Sequence, residues 1–400
     1  MDTMLNLDST VARILTYQDE LVAIRQDIHA HPELSFTEHR TSALVASALE
    51  NMGIEVHRGL AGTGVVGVIP GRLTESGHAI GLRADMDALP MAEAGDLPYK
   101  SLHPGRMHAC GHDGHTAMLL GAARYLAETR NFDGTAYVIF QPAEEGGGGG
   151  RVMVEDGLFD RFPANEVYAL HNWPTLPAGT MAIRPGPVTA ATDRIDIEIH
   201  GKGGHGAMPH LAVDPVVIAA QVISAMQTIA SRNLNPIDSL VISLCSMQTS
   251  QLGAFNVIPG SVMLQGTVRT FSPETRDLAE RRIGEIADGI AKSMGGHAET
   301  KYQRGYPSTV NTERETTFAT QVAERIFGKP NVITDPEPTM GGEDFAYMLQ
   351  ARPGAMVFLG QGGGPDRCFL HNPGYDFNDD VIPLGAGYLA ALVEAGLPLA

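Results

Sequence analysis

Residues 136–150 read AYVIFQPAEEGGGGG: five apolar residues, a Gln-Pro pair, adjacent carboxylates at Glu144 and Glu145, and five glycines. A short apolar run bounded by turn residues has the length and composition of a buried strand. Outward from it the same texture recurs, with VVGVI at 65–69, AIGLRA at 79–84 and VYAL at 167–170 alternating with helical stretches such as 115–129. This alternation predicts an α/β domain on a mainly parallel central sheet. Two helices precede it: Leu21, Ile24 and Ile28 share one face, then Leu44, Val45, Ala48 and Leu49, with His31-Pro32 between them and Gly53 placed to end the second.

Near residue 187 the pattern changes, because RIDIEIHG at 194–201 alternates apolar and charged side chains with period two, as a half-exposed antiparallel strand does. Strands around 239–244 and 262–270, a helix after Asp214-Pro215 and another from Pro273 to Met294 continue an α+β insert. The α/β pattern returns at about 305, with a helix near 313–327, AMVFLG at 355–360 and an apolar last helix. The expected organisation is a catalytic domain of residues 1–186 and 305–400, interrupted by a smaller domain of residues 187–304. The length of 400 residues accommodates two such domains.

The formal charge of −18 repels nucleic-acid phosphates and anionic lipid headgroups, so neither nucleic acid nor membrane is an expected partner. No apolar run reaches the length of a membrane span, and Asp2 and Asp8 stand where a signal peptide needs a basic start. Cys110, Cys245 and Cys368 are too few and too scattered for a disulfide scaffold. Both observations point to the cytoplasm.

The chemistry gathers in four segments. Met107 to Thr116 reads MHACGHDGHT, placing a thiol among imidazoles ahead of a helical stretch. Thiolate and imidazole together suit zinc, nickel, cobalt or manganese-type ions, whereas a buried cysteine in a His-rich loop is the plainer reading. At Glu144-Glu145 successive side chains point apart, so one can ligate a metal while the other faces a water to be deprotonated; an acidic turn before a flexible glycine linker is the alternative. His171 and His371 each end an apolar run. Carboxyl ends of parallel strands are where α/β sheets place ligands, so Cys110, His112, Glu145, His171 and His371 can converge, enough for two metals if one ligand bridges.

LRADMDALP at 82–90, HACGHDGHT at 108–116, QPAEEGGGG at 141–149, LHNWP at 170–174, GKGGHGAMPH at 201–210, NVIPG at 256–260 and FLHNPGYDFND at 369–379 together resemble the amidohydrolase/carboxypeptidase metallopeptidases. That group includes hippurate hydrolases, N-acyl-amino-acid amidohydrolases and indole-acetyl-amino-acid hydrolases. The resemblance implies a two-metal catalytic domain interrupted by a lid that also dimerises. It makes Cys110 the bridging ligand, with His112, Glu145, His171 and His371 completing the site and Glu144 the general base. Wider relatives have an aspartate at position 110 and a histidine at position 85; Cys110 and Asp85 here favour the acyl-amino-acid branch. Asp87 looks like the carboxylate behind a ligand imidazole, His112, although Asp85 and Asp87 also read as a helix-capping pair. His205 resembles a lid histidine that stabilises the oxyanion in the neighbouring subunit.

Asn256 and Arg269, on apparent lid strands, are candidates to grip a free carboxylate, Arg269 by a bidentate contact or else as a surface ion pair. Gly341 to Phe345 is expected as a pocket wall. The activity implied is metal-dependent hydrolysis of the amide bond of N-acyl-amino acids. The cofactors would be two divalent ions, manganese or zinc, with cobalt or nickel as further candidates, in a homodimer or homotetramer. A dipeptidase or aminopeptidase with the same centre and a non-catalytic metal-dependent peptide-binding protein are the rival readings.

Overall fold

The computed structural model describes residues 8–362 and 368–399, so Asp2 lies outside the described residues. The chain divides into two compact units. The first comprises the residues up to Val188, Val310–Glu337 and those from Asp344 on; the second comprises Thr189–Thr309 and Pro338–Glu343. The sequence places the breaks at 186 and 305, within a few residues of these, but assigns 338–343 to the first domain. That short segment pairs with the second unit, where the Ala190 N–H donates to the carbonyls of Thr339 and Gly341 at 3.0 and 2.9 Å.

In the first unit, β1 (Glu55–Leu60), β2 (Gly64–Pro70), β3 (Ala79–Asp85), β4 (Thr135–Gln141) and β5 (Glu166–Trp173) share one sheet in the order β1-β2-β4-β3-β5. Strand Gly354–Gly360 follows β5, and the short strands Met181–Ala182 and Val332–Ile333 complete the edge. From β4 through β3 and β5 to Gly354–Gly360 the pairing is parallel, while β1 and β2 join antiparallel. The parallel centre follows from apolar strands linked by helices: β3 and Gly354–Gly360 are buried along their whole length. Helix His112–Thr129 packs against helix Ile382–Gly396, and a Cβ at Gly121 would already stand 3.0 Å from that of Ala386. Small residues at this crossing let the two backbones approach closely.

In the second unit, Leu240–Thr249, Ser261–Thr270, Ala191–His200 and His297–Arg304 form an antiparallel sheet in that order. Ile195, Ile197 and Ile199 point to one face, against Val222 of helix Pro215–Thr228 and Ile283 of helix Pro273–Ser293. The alternate residues face outward, as period two requires. Asp214 caps the first of these helices by accepting the Val216 N–H at 2.9 Å, and Pro215 occupies its first turn.

Candidate metal centre and active site

The ligand-bearing segments gather at the carboxyl edge of the parallel strands, by routes only partly anticipated. Glu144 and Glu145 follow β4 directly, and His171 lies within β5 near its end. Cys110 and His112 do not sit at a strand-to-helix turn: β3 ends at Asp85, and a long loop leads to helix His112–Thr129. His371 lies in a turn, and among the described residues the strand before it closes at Gly360. The two segments nonetheless meet, pinned by the His371 N–H donating to the Ala109 carbonyl at 2.8 Å.

One donor atom per residue lies within 4.8 Å of the others in each of three groups: Cys110, His112 and His171; Cys110, Glu145 and His371; and His112, Glu144 and Glu145. Cys110 belongs to both of the first two. The His112 Nδ1–H donates to the Asp87 carbonyl at 2.9 Å, and the His171 Nδ1–H to the Asn172 carbonyl at 2.8 Å. Backbone acceptors thereby fix both tautomers and leave Nε2 as the free lone pair, the arrangement a ligating imidazole needs. The His171 Nε2 stands 3.5 Å from the Cys110 Sγ, and the His371 Nε2 3.2 Å from the Glu145 Oε1.

The His112 Nε2 is buried with no hydrogen-bond partner, 4.0 Å from the Glu145 Oε1 that also faces the His371 Nε2. An orphaned buried polar atom is rare and needs an explanation, and a cation between the His112 Nε2 and the Glu145 carboxylate supplies one. The protonation pattern agrees with a site short of positive charge. Burial, reinforced by Glu145, Glu144 and Asp85, pushes the Cys110 thiol well above its ordinary value. Burial works against a proton on His112, but Asp85, Asp87 and Glu145 raise it to about 10. Burial and the neighbouring His115 hold His171 well below the usual histidine range. Sulfur, imidazole nitrogen and carboxylate oxygen form a donor set suited to borderline transition ions.

Asp87 is the organiser of this corner. Its carboxylate accepts the N–H groups of Glu144 and Glu145 at 2.9 and 3.0 Å and the Ser35 hydroxyl at 2.8 Å. Its contact with His112 runs chiefly through the backbone carbonyl, the carboxylate being 3.4 Å away. Neither Asp85 nor Asp87 caps a helix among the described residues.

The glycines after Glu145 are not a flexible linker, because Gly149–Glu155 is a helix and a Cβ at Gly149 would overlap the Pro142 carbonyl. Left-handed backbone recurs at the site, with φ of 99° at Gly111, 56° at Ala143 and 62° at His371. For the two non-glycine residues this costs on the order of 1–2 kcal/mol each, which the surrounding hydrogen bonds offset. One of these bonds joins the Ala143 N–H to the buried Glu38 carboxylate at 2.9 Å.

Residues that sequence reasoning missed form the floor. Arg83, almost fully buried in β3, donates to Gln141 at 2.9 Å, Asp85 at 2.8 Å and Asp344 at 3.0 Å. Asp344 also accepts the Gly150 N–H at 2.7 Å, and its own N–H reaches the Glu144 Oε1 at 3.4 Å. Within Gly341 to Phe345, Asp344 and Phe345 belong to the first unit and Gly341 to Glu343 to the second. His115 is held between Asp85 at 2.6 Å and the Asn172 Oδ1 at 2.7 Å, which engages both ring nitrogens. Charged residues at the end of a buried apolar run, Arg83 and Asp85 in AIGLRAD, were the available signal.

In the second unit, Gly204–His205 pairs with Val257–Ile258, and the Gly206 N–H donates to the Asn256 carbonyl at 2.8 Å. Exposed His205 accepts the Ala207 N–H on Nδ1 at 3.1 Å, leaving Nε2–H as an outward donor. Asn256 stands in the turn before its strand. Arg269 lies at the far end of Ser261–Thr270, eight residues or roughly 26 Å along the strand. One copy of this unit thus groups Asn256 with His205 and not with Arg269. Half-buried Arg269 makes no ion pair among the described contacts; it donates to the Val268 carbonyl at 3.0 Å and to the Thr267 hydroxyl.

A buried site combining thiolate, imidazole and carboxylate donors with a second carboxylate at their edge, on a parallel α/β sheet interrupted by a small α+β unit, defines a metal-dependent amidohydrolase. The chain belongs to peptidase family M20/M25/M40, whose profile matches residues 81–395. It is 41% identical over 382 residues to a hippurate hydrolase of Campylobacter jejuni, covering 96% of this chain and 98% of that one. It is 40% identical over 376 residues to an N-acetyl-L-cysteine deacetylase of Bacillus subtilis, covering 94% and 88%. A solved Bacillus subtilis structure, described as a dinuclear metal binding peptidase from the M20 family, superposes with a TM-score of 0.83 at 35% identity, over 96% of this chain and 99% of that one. Among the described residues no helix is long and apolar enough to cross a membrane.

Proposed function

We propose that this chain hydrolyses the amide bond of N-acyl-amino acids with two divalent ions held by Cys110, His112, Glu145, His171 and His371. The observation that carries the reading is the meeting of these five donors, with the His112 Nε2 buried and without a hydrogen-bond partner, beside Glu144. Membership of Cys110 in both donor groups supports it as the bridge. Zinc or manganese is the proposed pair, with cobalt or nickel as substitutes; a thiolate bridge favours the softer ions among them. When bound, such ions polarise an amide carbonyl and lower the pKa of water.

The chain's own residues do the rest. Glu144, its backbone fixed by Asp87, accepts a proton from the attacking water and returns it to the leaving nitrogen. His205 offers its Nε2–H to the developing oxyanion of a second copy's site. Asn256 and Arg269, too far apart in one copy to meet, can hold one substrate carboxylate if each comes from a different copy. This supports a homodimer, or a homotetramer built from dimers. The substrate is a small molecule, with neither nucleic acid nor membrane as a partner, and the three free thiols fit a cytoplasmic setting.

Benzoyl-, acetyl- and indole-acetyl-amino acids assayed beside dipeptides, with zinc, manganese, cobalt and nickel in turn, test the proposal. Metal-dependent release of the amino acid from at least one acylated substrate is expected. Cleavage of dipeptides alone would replace this reading with a dipeptidase or aminopeptidase.

A further inference from the structure

The second unit carries another group of metal-type donors, unconnected with the residues assigned above. On the adjacent antiparallel strands Ala191–His200 and His297–Arg304, His200 is paired directly with His297, and Glu198 directly with Glu299. Ile197 and Ile199 take the buried face, so these four side chains share the outward one. The two imidazoles stack with ring centroids 4.5 Å apart and planes 12° apart. Donor atoms of His200, His297 and Glu299 lie within 4.8 Å of one another, and a Glu198 oxygen stands 3.8 Å from the His200 Nε2.

One feature of this patch is unusual for a solvated sheet surface. Like charges directly opposite across strands repel, yet Glu198 faces Glu299, whereas the next outward pair, Asp196 and Lys301, is complementary. A divalent cation at the edge of the two rings, where the in-plane nitrogen lone pairs point, and within reach of the carboxylates would neutralise the glutamates.

We propose that His200, His297 and Glu299, with Glu198 beside them, form a separate site for one borderline divalent ion of the zinc, nickel or copper class. Two imidazoles and one carboxylate supply three of four tetrahedral positions and leave the fourth to water or to Glu198. Hard oxygen-seeking ions such as magnesium and calcium are disfavoured by the nitrogen donors. Strand His297–Arg304 is an edge strand of its sheet, so the ion would pin its first residues to Ala191–His200.

The test uses the full chain, freed of metal by chelation and equilibrated by dialysis against zinc, and compares it with His297→Asn and with His297→Asn/Glu299→Gln. Bound zinc should fall by one ion per chain in both variants, while hydrolysis of an acylated amino acid stays within twofold of the parent. Retained hydrolysis shows that each variant is folded and that the catalytic ions remain. A second arm counts zinc in His371→Ala, where the ion lost belongs to the other centre and the one at His297 persists. Equal zinc content in the parent and in both active variants would overturn the proposal and leave the patch as a surface cluster without an ion.

Discussion

Replacing Asp87 with asparagine keeps the side-chain shape and removes the charge on which the Glu144 corner is hung. The parent carboxylate accepts two backbone N–H groups and one hydroxyl, all at 2.8 to 3.0 Å. A hydrogen bond to a charged acceptor contributes about 1.5–3 kcal/mol and a neutral one about 0.5–1.5, whereas an orphaned buried donor costs about 1–3. The asparagine oxygen can retain one N–H, but its amide group turns toward the other. The expected loss is about 2–5 kcal/mol, read by urea unfolding of metal-free protein at neutral pH.

Metal affinity should fall about 10–100-fold, the usual consequence of removing the support behind a ligand, as measured by calorimetric zinc titration. The pH dependence follows from the carboxyl's shift. Burial disfavours its charge, but hydrogen bonds to His112 and Ser35 outweigh burial and lower its pKa. A depressed carboxyl contributes stability above its unfolded value and loses it as pH falls through the folded one. The gap between parent and variant should therefore hold steady from about pH 5 to 8 and close below about pH 4. A variant within about 0.5 kcal/mol of the parent, the scatter of an ordinary surface change, with unaltered metal affinity, would refute this account of the corner.

Glu144→Gln should lower turnover by roughly a hundredfold to ten-thousandfold with metal retained, while Glu145→Gln should lose metal, as elemental analysis of both will show. Cys110→Ser should reduce the bound ions below two per chain, because a hydroxyl replaces the thiolate proposed as the bridge; an unchanged count would exclude that role. Gly111→Ala combines left-handed backbone with overlap on Asn172, so a loss of about 2–4 kcal/mol in thermal unfolding is expected. Buried His29 is raised to about 9: burial opposes its proton, but Asp113 and Glu93 outweigh that. Its contribution is complete below the unfolded value near 6.5 and disappears as pH rises through about 9, so the stability advantage of the parent over His29→Gln should shrink across that interval. Mixed dimers of Glu144→Gln and His205→Ala should regain partial activity, and inactive verified heterodimers would confine His205 to its own chain.

Much of this protein is legible in the sequence because local rules and local chemistry coincide there. Apolar runs of strand length alternating with helices gave the parallel sheet, and the period-two run at 194–201 marked the second unit to within a few residues. Cys110, His112, Glu145, His171 and His371 stood out because their residue types are rare in clusters and share a ligand chemistry. Spacing could not reveal what holds them: Arg83 meets Asp344 across 261 positions, and Glu38 reaches Ala143 across 105. Such pairings depend on which buried charges the fold brings face to face, and a buried charge reads in sequence like any other polar residue. The structure alone likewise showed that Asp87 grips backbone N–H groups, that Gly149 is packed, and that Asn256 stands in a turn beside His205 while Arg269 lies at the far end of a separate strand. Sequence sets which side chains can bind; tertiary structure decides which atoms remain unsatisfied, and unsatisfied atoms are what a metal or a substrate completes.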